Sequence, residues 1–285
     1  MAQKRHAKEH TKSKAKRNIT KKAAVSSTKH RKMLHKSSRR ISKYHIKKAR
    51  EYITTGVKGF DDLLEYGIPK GSVTLISGGA GSGKTIFCLQ TLFNTAKSGK
   101  KALYMSFEES EKNLKEHMED FGWNHEEMEK KKLLMIKNLS VYDISRALEA
   151  MVEKSEGDLL IDVKPVIFPH GFVPDVVIID SLAAIVSAFT NSVAYRMYVD
   201  NLFTYFREAG VTAFVITETM QMPSIYSPMG IEEFLADGVV ALYNVQKGDI
   251  RESAIEVVKM RGVKHVKKIV AMQVVSGTGI EVYPG

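Results

Sequence analysis

Cysteine is almost absent from this sequence. Cys88 is the single cysteine among 285 residues, which excludes an internal disulfide and a metal centre built from several thiolates. Hydrophobic residues make up 44% of the chain, enough for a substantial core at this length. This composition is typical of a protein in a reducing compartment, and we expect a cytoplasmic location.

Long hydrophobic runs are also missing. The longest apolar region, residues 176–189, is interrupted by Asp180 and Ser181 and is too short to cross a bilayer. The first residues contain no apolar stretch of the kind that a secretory signal requires. The sequence therefore predicts neither membrane association nor ordinary secretion.

Acidic residues are scarce at the start of the chain, where Glu9 is the only one among the first 50 residues. This segment holds 19 of the 43 Lys and Arg residues, so it carries +18 while the remainder carries −7. It also has few large apolar residues, and such a composition cannot offset the entropy of folding. We therefore expect a basic, disordered arm over residues 1–50 and an acidic folded domain over residues 51–285.

The basic arm has two interpretations. Its cations could neutralise the phosphates of DNA or RNA without reading their sequence. Alternatively, the arm is a solubilising or targeting tail. Charge composition alone leaves both interpretations open.

A glycine-rich segment, residues 78–85, fits the pattern G-x-x-x-x-G-K-[ST]. The apolar run before it, residues 73–77, has the character of a buried strand. The residues after it recur at helical spacing up to Lys97, and Gly99 is placed to end that helix. Glycines let backbone N–H groups converge on a polyphosphate, and a helix N-terminus attracts the same anion. This strand, loop and helix predict an ATP site.

The two residues that end the loop carry the polar side chains of the predicted site. Lys84 is expected to reach the β- and γ-phosphates, and the hydroxyl of Thr85 is expected to bind Mg²⁺. ATP and Mg²⁺ are therefore the predicted ligands. The predicted nucleotide contacts are Gly78, Gly79, Ala80, Gly81, Ser82, Gly83, Lys84, Thr85 and Ile86.

Two acidic residues, Glu108 and Glu109, follow the second predicted strand, residues 102–107. In an open α/β sheet ligands gather at the carboxyl ends of the strands, so this pair is expected to face the ligand of the phosphate loop. We interpret Glu108, in preference to Glu109, as the catalytic group that orients and polarises the attacking water. The alternative is that both are favourable acids at the N-terminus of the next predicted helix, residues 110–121.

A continuous apolar run, residues 176–179, ends in Asp180 and Ser181. Such a run is typical of a strand that is buried on both faces of a parallel sheet. An acid at this strand end, about one hundred residues after a phosphate loop, is expected to complete the Mg²⁺ site. Thr85 and Asp180 are therefore the predicted metal-binding residues, and Ser181 is expected to support Asp180.

Strands and helices alternate as far as residue 217, which predicts an α/β protein with a mainly parallel sheet and helices on both faces. A helix over residues 140–154 and a hairpin-like insertion over residues 157–174 are also predicted. Four C-terminal strands are expected to extend the sheet antiparallel. They cover residues 239–246, 252–260, 267–275 and 280–283.

In this order the motifs resemble those of the KaiC-like ATPases of the RecA superfamily, over about residues 53–285. The resemblance implies a RecA-like phosphate-loop core and Mg²⁺-dependent ATP hydrolysis. The residues that carry it are Gly56-x-x-Gly59-Phe60-Asp61, residues 78–85, Ser106-Phe107-Glu108-Glu109, Ile179-Asp180-Ser181, residues 231–237 and Lys259-Met260-Arg261-Gly262-x-x-His265.

The resemblance also implies a homo-oligomeric ring, usually a hexamer, with ATP between neighbouring subunits. Lys259 and Arg261 would then act as catalytic cations on the γ-phosphate that the adjacent subunit binds. The residues alone favour a different interpretation, two outward charges on one face of a strand. KaiC clock proteins carry two tandem ATPase domains, whereas this sequence has one set of motifs and a basic arm, so a circadian role is not implied.

Three functions are compatible with these motifs. The first is a ring-forming regulatory ATPase that acts on a protein partner, with autophosphorylation at Ser224 or Ser227 as a secondary hypothesis. The second is a DNA-repair ATPase related to RecA and RadA, but there is no Lys or Arg between Arg207 and Lys247, where a DNA-binding groove would need cations. The third is a scaffold that binds ATP without hydrolysing it, and Glu108 argues against it. We therefore favour the regulatory ATPase.

Overall fold

The computed structural model describes residues 50–140, 168–187, 189, 191–221 and 223–285. The basic arm up to residue 49, the predicted helix over residues 140–154 except its first residue, and most of the predicted insertion lie outside the described residues. The described part opens with a two-stranded antiparallel sheet of β1 (Tyr52–Ile53) and β2 (Ile68–Pro69).

The helices predicted after the phosphate loop and over residues 110–121 are present, close to their expected bounds. Gly99 has a φ of 84° just after the first of them, in the conformation that commonly ends a helix. None of the helices in the described part of the chain is long and apolar enough to cross a membrane. They are α1 (Lys84–Lys97), α2 (Glu111–Asp120), α3 (His125–Lys130), α4 (Leu182–Val186), α5 (Ser192–Glu208) and α6 (Glu232–Leu235).

A single larger sheet contains the other nine described strands, in the order β11-β10-β9-β8-β3-β7-β6-β4-β5. These strands are β3 (Val73–Gly78), β4 (Ala102–Ser106), β5 (Leu134–Asn138), β6 (Val176–Asp180), β7 (Thr212–Glu218), β8 (Gly238–Lys247), β9 (Ile250–Met260), β10 (Val270–Val275) and β11 (Gly279–Tyr283). The six strands from β8 to β5 in this order pair parallel, and β9, β10 and β11 add antiparallel. The predicted fold class is confirmed.

One detail of the prediction was wrong. The first C-terminal strand, β8, was expected to pair antiparallel, but it pairs parallel with β3, with Val239 opposite Leu75. The reason is the connection after β7, residues 219–237, which includes α6. It returns the chain from the carboxyl ends of the parallel strands to their amino ends before β8 begins. Parallel pairing requires such a crossover.

Apolar side chains cover both faces of the sheet. On one face Phe87 and Leu92 of α1 pack with Ile178, and on the other face Phe203 of α5 packs with Val177. Successive residues of β6 therefore serve opposite cores, because strand side chains alternate between the two faces. This explains the continuous apolar run that precedes Asp180.

Candidate functional site

Three predicted motifs meet at the carboxyl edge of the parallel strands. β3 leads into the phosphate loop, β4 ends just before Glu108, and β6 ends at Asp180. β4 and β6 are neighbours, with Ser106 opposite Asp180, and β7 alone separates β6 from β3. The sheet order therefore gathers the motifs that lie far apart in sequence.

The phosphate loop has a backbone that requires glycine. The angle φ is 71° at Gly81 and 93° at Gly83, a region that other residues rarely adopt. A Cβ atom on Gly78 would lie only 2.5 Å from the carbonyl oxygen of Leu242. Because α1 begins at Lys84, the first N–H groups of this helix lie at the loop without partners inside the helix.

The polar groups of the loop fit a polyphosphate. Lys84 is buried, and its Nζ donates a hydrogen bond to the carbonyl oxygen of Gly79 at 3.0 Å. Ser82 Oγ is buried and has no hydrogen-bond partner among the described residues. A cation, a hydroxyl that needs a partner and a helix N-terminus therefore converge at one turn, and this combination suits the phosphates of a nucleotide.

Asp180 lies at the end of β6 and is only 3% exposed. Tyr104 of the neighbouring β4 donates its hydroxyl to Asp180 Oδ2 at 2.6 Å. Burial, together with the nearby carboxylates of Glu108 and Glu109, raises the pKa of Asp180 to about 6 in spite of the hydrogen bond from Tyr104. A buried carboxylate that is disfavoured in this way gains stability from a nearby cation.

The donor set around Asp180 fits Mg²⁺ better than a metal held entirely by protein. Within the described residues, no group of three or more His, Cys, Asp or Glu side chains could hold a metal ion. Mg²⁺ usually keeps several waters and takes its other ligands from one or two protein groups and from substrate phosphates. Asp180 and Thr85, the second residue of α1, would supply the protein groups.

The two glutamates after β4 make different contacts. Glu108 Oε1 accepts a hydrogen bond from the hydroxyl of Ser181, whereas Glu109 Oε2 lies 3.1 Å from Nε2 of His117 in α2. The N–H groups of both glutamates donate to Ser106 Oγ, at 3.2 and 2.9 Å, so the turn itself is held in place. The structure thus brings Glu108 to the end of β6 and directs Glu109 towards α2.

Sequence reasoning missed two residues at this edge, Tyr104 and Gln221. Gln221 Nε2 donates to the carbonyl oxygen of Ala80 in the phosphate loop at 2.9 Å, and its buried Oε1 has no partner in the described part of the chain. A buried Asp180 calls for a donor on a neighbouring strand, but the sequence does not say which strand is the neighbour. We find no sequence signal for Gln221.

Lys259 and Arg261 lie at the opposite, amino edge of the sheet. Met260, between them in sequence, pairs with Gly238 of β8, which in turn pairs with Thr74 of β3. The phosphate loop begins four residues further along β3, or about 13 Å at the usual rise of a strand. The structure therefore does not bring these two cations to the phosphate loop of their own chain.

Both cations bind carbonyl groups of α6 and of Ala236, the residue that caps its C-terminus, instead. Lys259 Nζ donates to the oxygens of Glu233 and Ala236 at 2.9 and 2.7 Å. Arg261 Nη2 donates to the oxygen of Phe234 at 2.8 Å. Burial and the nearby Arg261 lower the pKa of Lys259, so this site already holds a concentration of positive charge.

Comparisons with known proteins identify the family and the fold. The family model described as ATPase: KaiC matches residues 53–285. The circadian clock protein KaiC3 of Synechocystis is 33% identical over 234 residues, and the circadian clock oscillator protein KaiC of Parasynechococcus marenigrum is 32% identical over 222 residues. The matches cover 82% and 75% of this chain. They cover only 46% and 41% of the relatives, so the chain spans about half of their length.

A solved structure shows the same fold. The KaiC-like protein of the archaeon Pyrococcus horikoshii matches with a TM-score of 0.66 and 30% identity. The match covers 82% of this chain and all of the archaeal one. Together with the family match, this similarity establishes that the chain belongs to the KaiC family of RecA-type ATPases.

Proposed function

We propose that this protein hydrolyses ATP in a Mg²⁺-dependent reaction at sites between the subunits of a ring, and that it is a regulatory ATPase. The observation that carries the proposal is the meeting of the phosphate loop, Glu108 and Asp180 at one edge of the sheet. Membership of the KaiC family supports nucleotide binding. The hydrolysis step is inferred from the position of Glu108.

The carboxyl edge supplies the groups that bind ATP and activate water. Backbone N–H groups of residues 78–85 would bind the phosphates, and Lys84 would neutralise their charge. Thr85 and Asp180 would hold Mg²⁺, which supplies charge neutralisation and orientation of phosphate oxygens. Glu108, oriented by Ser181, would accept a proton as water attacks the γ-phosphorus, and the bond to the β-phosphate oxygen would break to release ADP.

The amino edge supplies cations to a neighbour. Lys259 and Arg261 lie about one strand length from the phosphate loop of their own chain, so they suit a second subunit whose loop approaches this edge. There they would neutralise charge that develops on the transferred phosphate, as trans-acting cations do in other phosphate-loop enzymes. A closed ring, which we propose to be a hexamer, would give every loop such a neighbour.

The basic arm is proposed to bind DNA or RNA through phosphate neutralisation. Its charge of +18 in 50 residues supports this role, and binding of this kind weakens steeply as salt rises. Affinity for both nucleic acids should be compared between the full chain and a chain that begins at Glu51, over a range of salt concentrations. Equal affinity of the two chains would assign binding to the folded domain instead.

The other two candidate functions receive less support. Residues 208–246 contain no Lys or Arg, and the exposed side chains of this region include Met220 and Ile225, which cannot bind a phosphate backbone. A DNA-repair ATPase is therefore disfavoured. The contact with Ser181 orients Glu108, and a scaffold that does not hydrolyse ATP would not need an oriented carboxylate at this position.

Phosphate release by three forms of the full chain tests the proposed hydrolysis. Wild type should release phosphate only with Mg²⁺, Lys84→Ala should neither bind ATP nor hydrolyse it, and Glu108→Gln should bind ATP but hydrolyse it slowly. Equal rates in all three forms would overturn the proposal. Native mass measured with and without a non-hydrolysable ATP analogue tests the ring, and a persistent monomer would remove the basis for the trans cations.

A further inference from the structure

Every carbonyl group over residues 233–236 binds a cationic side chain. Lys259 binds the first and the last of them, Arg261 binds the carbonyl of Phe234, and Arg207 binds that of Leu235 at 2.7 Å. The last carbonyls of a helix have no partner inside it and carry its partial negative charge. This short segment therefore acts as a shared acceptor that holds three cations close together.

Asp237, the residue after this segment, connects two of the three cations, Arg207 and Arg261, to the sheet. Its Oδ2 accepts from Arg207 Nε at 3.0 Å and from the N–H of Val73 at 3.1 Å. Its Oδ1 lies 3.5 Å from Nη1 of Arg261, and its backbone carbonyl accepts from the N–H of Arg261 at 2.8 Å. Val73 is the first residue of β3, the strand that leads to the phosphate loop. Asp237 therefore fixes the positions of Arg207 and Arg261 relative to this strand.

We infer that Asp237, held by Arg207, positions the two trans cations so that they can act on the ATP bound by a neighbouring subunit. It contacts Arg261 directly, and it follows the carbonyl of Ala236 that Lys259 binds. The inference rests on the proposed trans role of these two cations. Neither Asp237 nor Arg207 belongs to the proposed contacts with ATP. Both act through the cations that they hold.

Lys259 and Arg261 keep N–H donors that could contact the ATP of a neighbouring subunit. An ammonium group has three N–H donors and a guanidinium has five, and the contacts described above use two donors of Lys259 and two side-chain donors of Arg261. The Arg261 side chain is 52% exposed, so its remaining donors can meet another molecule. A long side chain that is already oriented loses less conformational entropy when it binds.

A purely structural role predicts a different outcome. Ion pairs between partly exposed side chains contribute little to stability, and the Arg207, Asp237 and Arg261 side chains are 32%, 18% and 52% exposed. Removing the charge of Asp237 should therefore change the melting temperature little. The change should lower kcat instead, because misplaced cations stabilise the transition state less well while the phosphate loop still binds ATP.

Asp237→Asn in the full chain is the main test, with Asp200→Asn, at an exposed acid of α5, as the matched control. We expect kcat to fall by about 10- to 100-fold with little change in ATP affinity. The control should behave as wild type. An unchanged kcat in Asp237→Asn, or a fall matched by an equal loss of ATP binding, would overturn the inference.

Mixed rings show whether the defect acts between subunits. Lys84→Ala subunits cannot use their own ATP, but they keep Asp237, Arg261 and Lys259 intact. Mixed at equal amounts with Asp237→Asn subunits, they should raise activity towards about one quarter of wild type, the share of productive interfaces in a randomly mixed ring. Activity that stays at the level of Asp237→Asn alone would contradict positioning in trans.

A parallel mixture separates this inference from the proposed function. Arg261→Ala subunits mixed with Lys84→Ala subunits should also recover activity if Arg261 acts in trans. Recovery there without recovery for Asp237→Asn would overturn the inference alone, whereas no recovery in the Arg261→Ala mixture would overturn the trans role of the cations.

If Asp237→Asn does not fold, Arg207→Lys gives the same comparison, because lysine keeps the charge but lacks the planar fork of arginine. A normal kcat in that variant would then reject the inference.

Discussion

The two edges of the central sheet hold the two halves of the proposed ATPase site, and they are built differently. At the carboxyl edge Asp180 and Lys84 are buried, and the backbone beside them is fixed by strand register and by glycine conformation. At the amino edge Lys259 is partly buried and Arg261 is exposed, and both are held by carbonyl groups, with Asp237 as a further partner of Arg261. The core positions the first half, whereas a polar network positions the second.

This difference implies that the two halves fail in different ways. A change to Lys84 or Asp180 at the carboxyl edge alters a buried group, so it should affect ligand binding or stability as well as rate. A change at the amino edge should affect rate alone, and only where a neighbouring subunit depends on it. The three predictions below test this contrast, beginning with the largest expected effect.

Removal of Arg261 should have the largest effect on rate. Trans cations at phosphoryl transfer sites contribute about 10³-fold or more to kcat, so Arg261→Ala should lower kcat on that scale. ATP affinity, measured with a fluorescent nucleotide, should stay within a few-fold of wild type because the phosphate loop is untouched. If the affinity falls as far as kcat does, the amino edge is part of the ground-state binding site and the contrast between the edges fails.

The two glutamates after β4 should differ sharply. Glu108→Gln should lower kcat by about 10²- to 10⁴-fold, the usual contribution of a general base, because Glu108 is held at the end of β6 by Ser181. Glu109→Gln is the matched control, since its side chain contacts His117 in α2, and it should change kcat by only a few-fold. Steady-state phosphate release measures both. Similar losses in the two variants would refute the assignment of Glu108.

Asp180→Asn should stabilise the protein in the absence of nucleotide and Mg²⁺. Burial raises the pKa of Asp180 to about 6, above its value in the unfolded chain, so the folded state favours the protonated form. The free energy of unfolding of wild type should therefore decrease as pH rises from about 4 to about 6 and then level off. Asparagine does not ionise, so the variant does not lose stability in this way. Above pH 6 its free energy of unfolding should exceed that of wild type by at most about 3 kcal/mol.

Thermal unfolding as a function of pH checks this prediction. The melting temperature of Asp180→Asn should exceed that of wild type at pH 8 and should approach it near pH 4. Tyr104 can still donate to the amide oxygen, so the hydrogen bond is preserved in the variant. A variant that is less stable than wild type at every pH would show that ionised Asp180 contributes favourably without a cation.

Much of the fold was predictable because local patterns dominate in it. The helix after the phosphate loop was predicted to run up to Lys97, where α1 ends, and Gly99 lies just beyond that end. The parallel pairing of β8 was not predicted, because the sequence of a strand does not state its neighbour. A short crossover through α6 reversed the expected direction.

The sequence by itself determined the chemical groups of the candidate site. Residues 78–85 combine glycine, lysine and threonine at a spacing that few other functions require. Asp180 ends a run of apolar residues, which predicts that the strand is buried. These signals are local: they depend on backbone conformations and on the periodicity of neighbouring residues. The catalytic roles of Glu108, Lys259 and Arg261 remain predictions until the rates are measured.

The tertiary structure decided which of these groups share an edge. Sheet order brought Tyr104 to Asp180 and Gln221 to the phosphate loop, and it placed Lys259 and Arg261 about one strand length away. No local pattern encodes these distances, because they arise from the pairing of strands that are far apart in sequence. The network around Asp237 depends on the same long-range pairing, since Val73 and Arg261 both contact Asp237 but lie far apart in sequence.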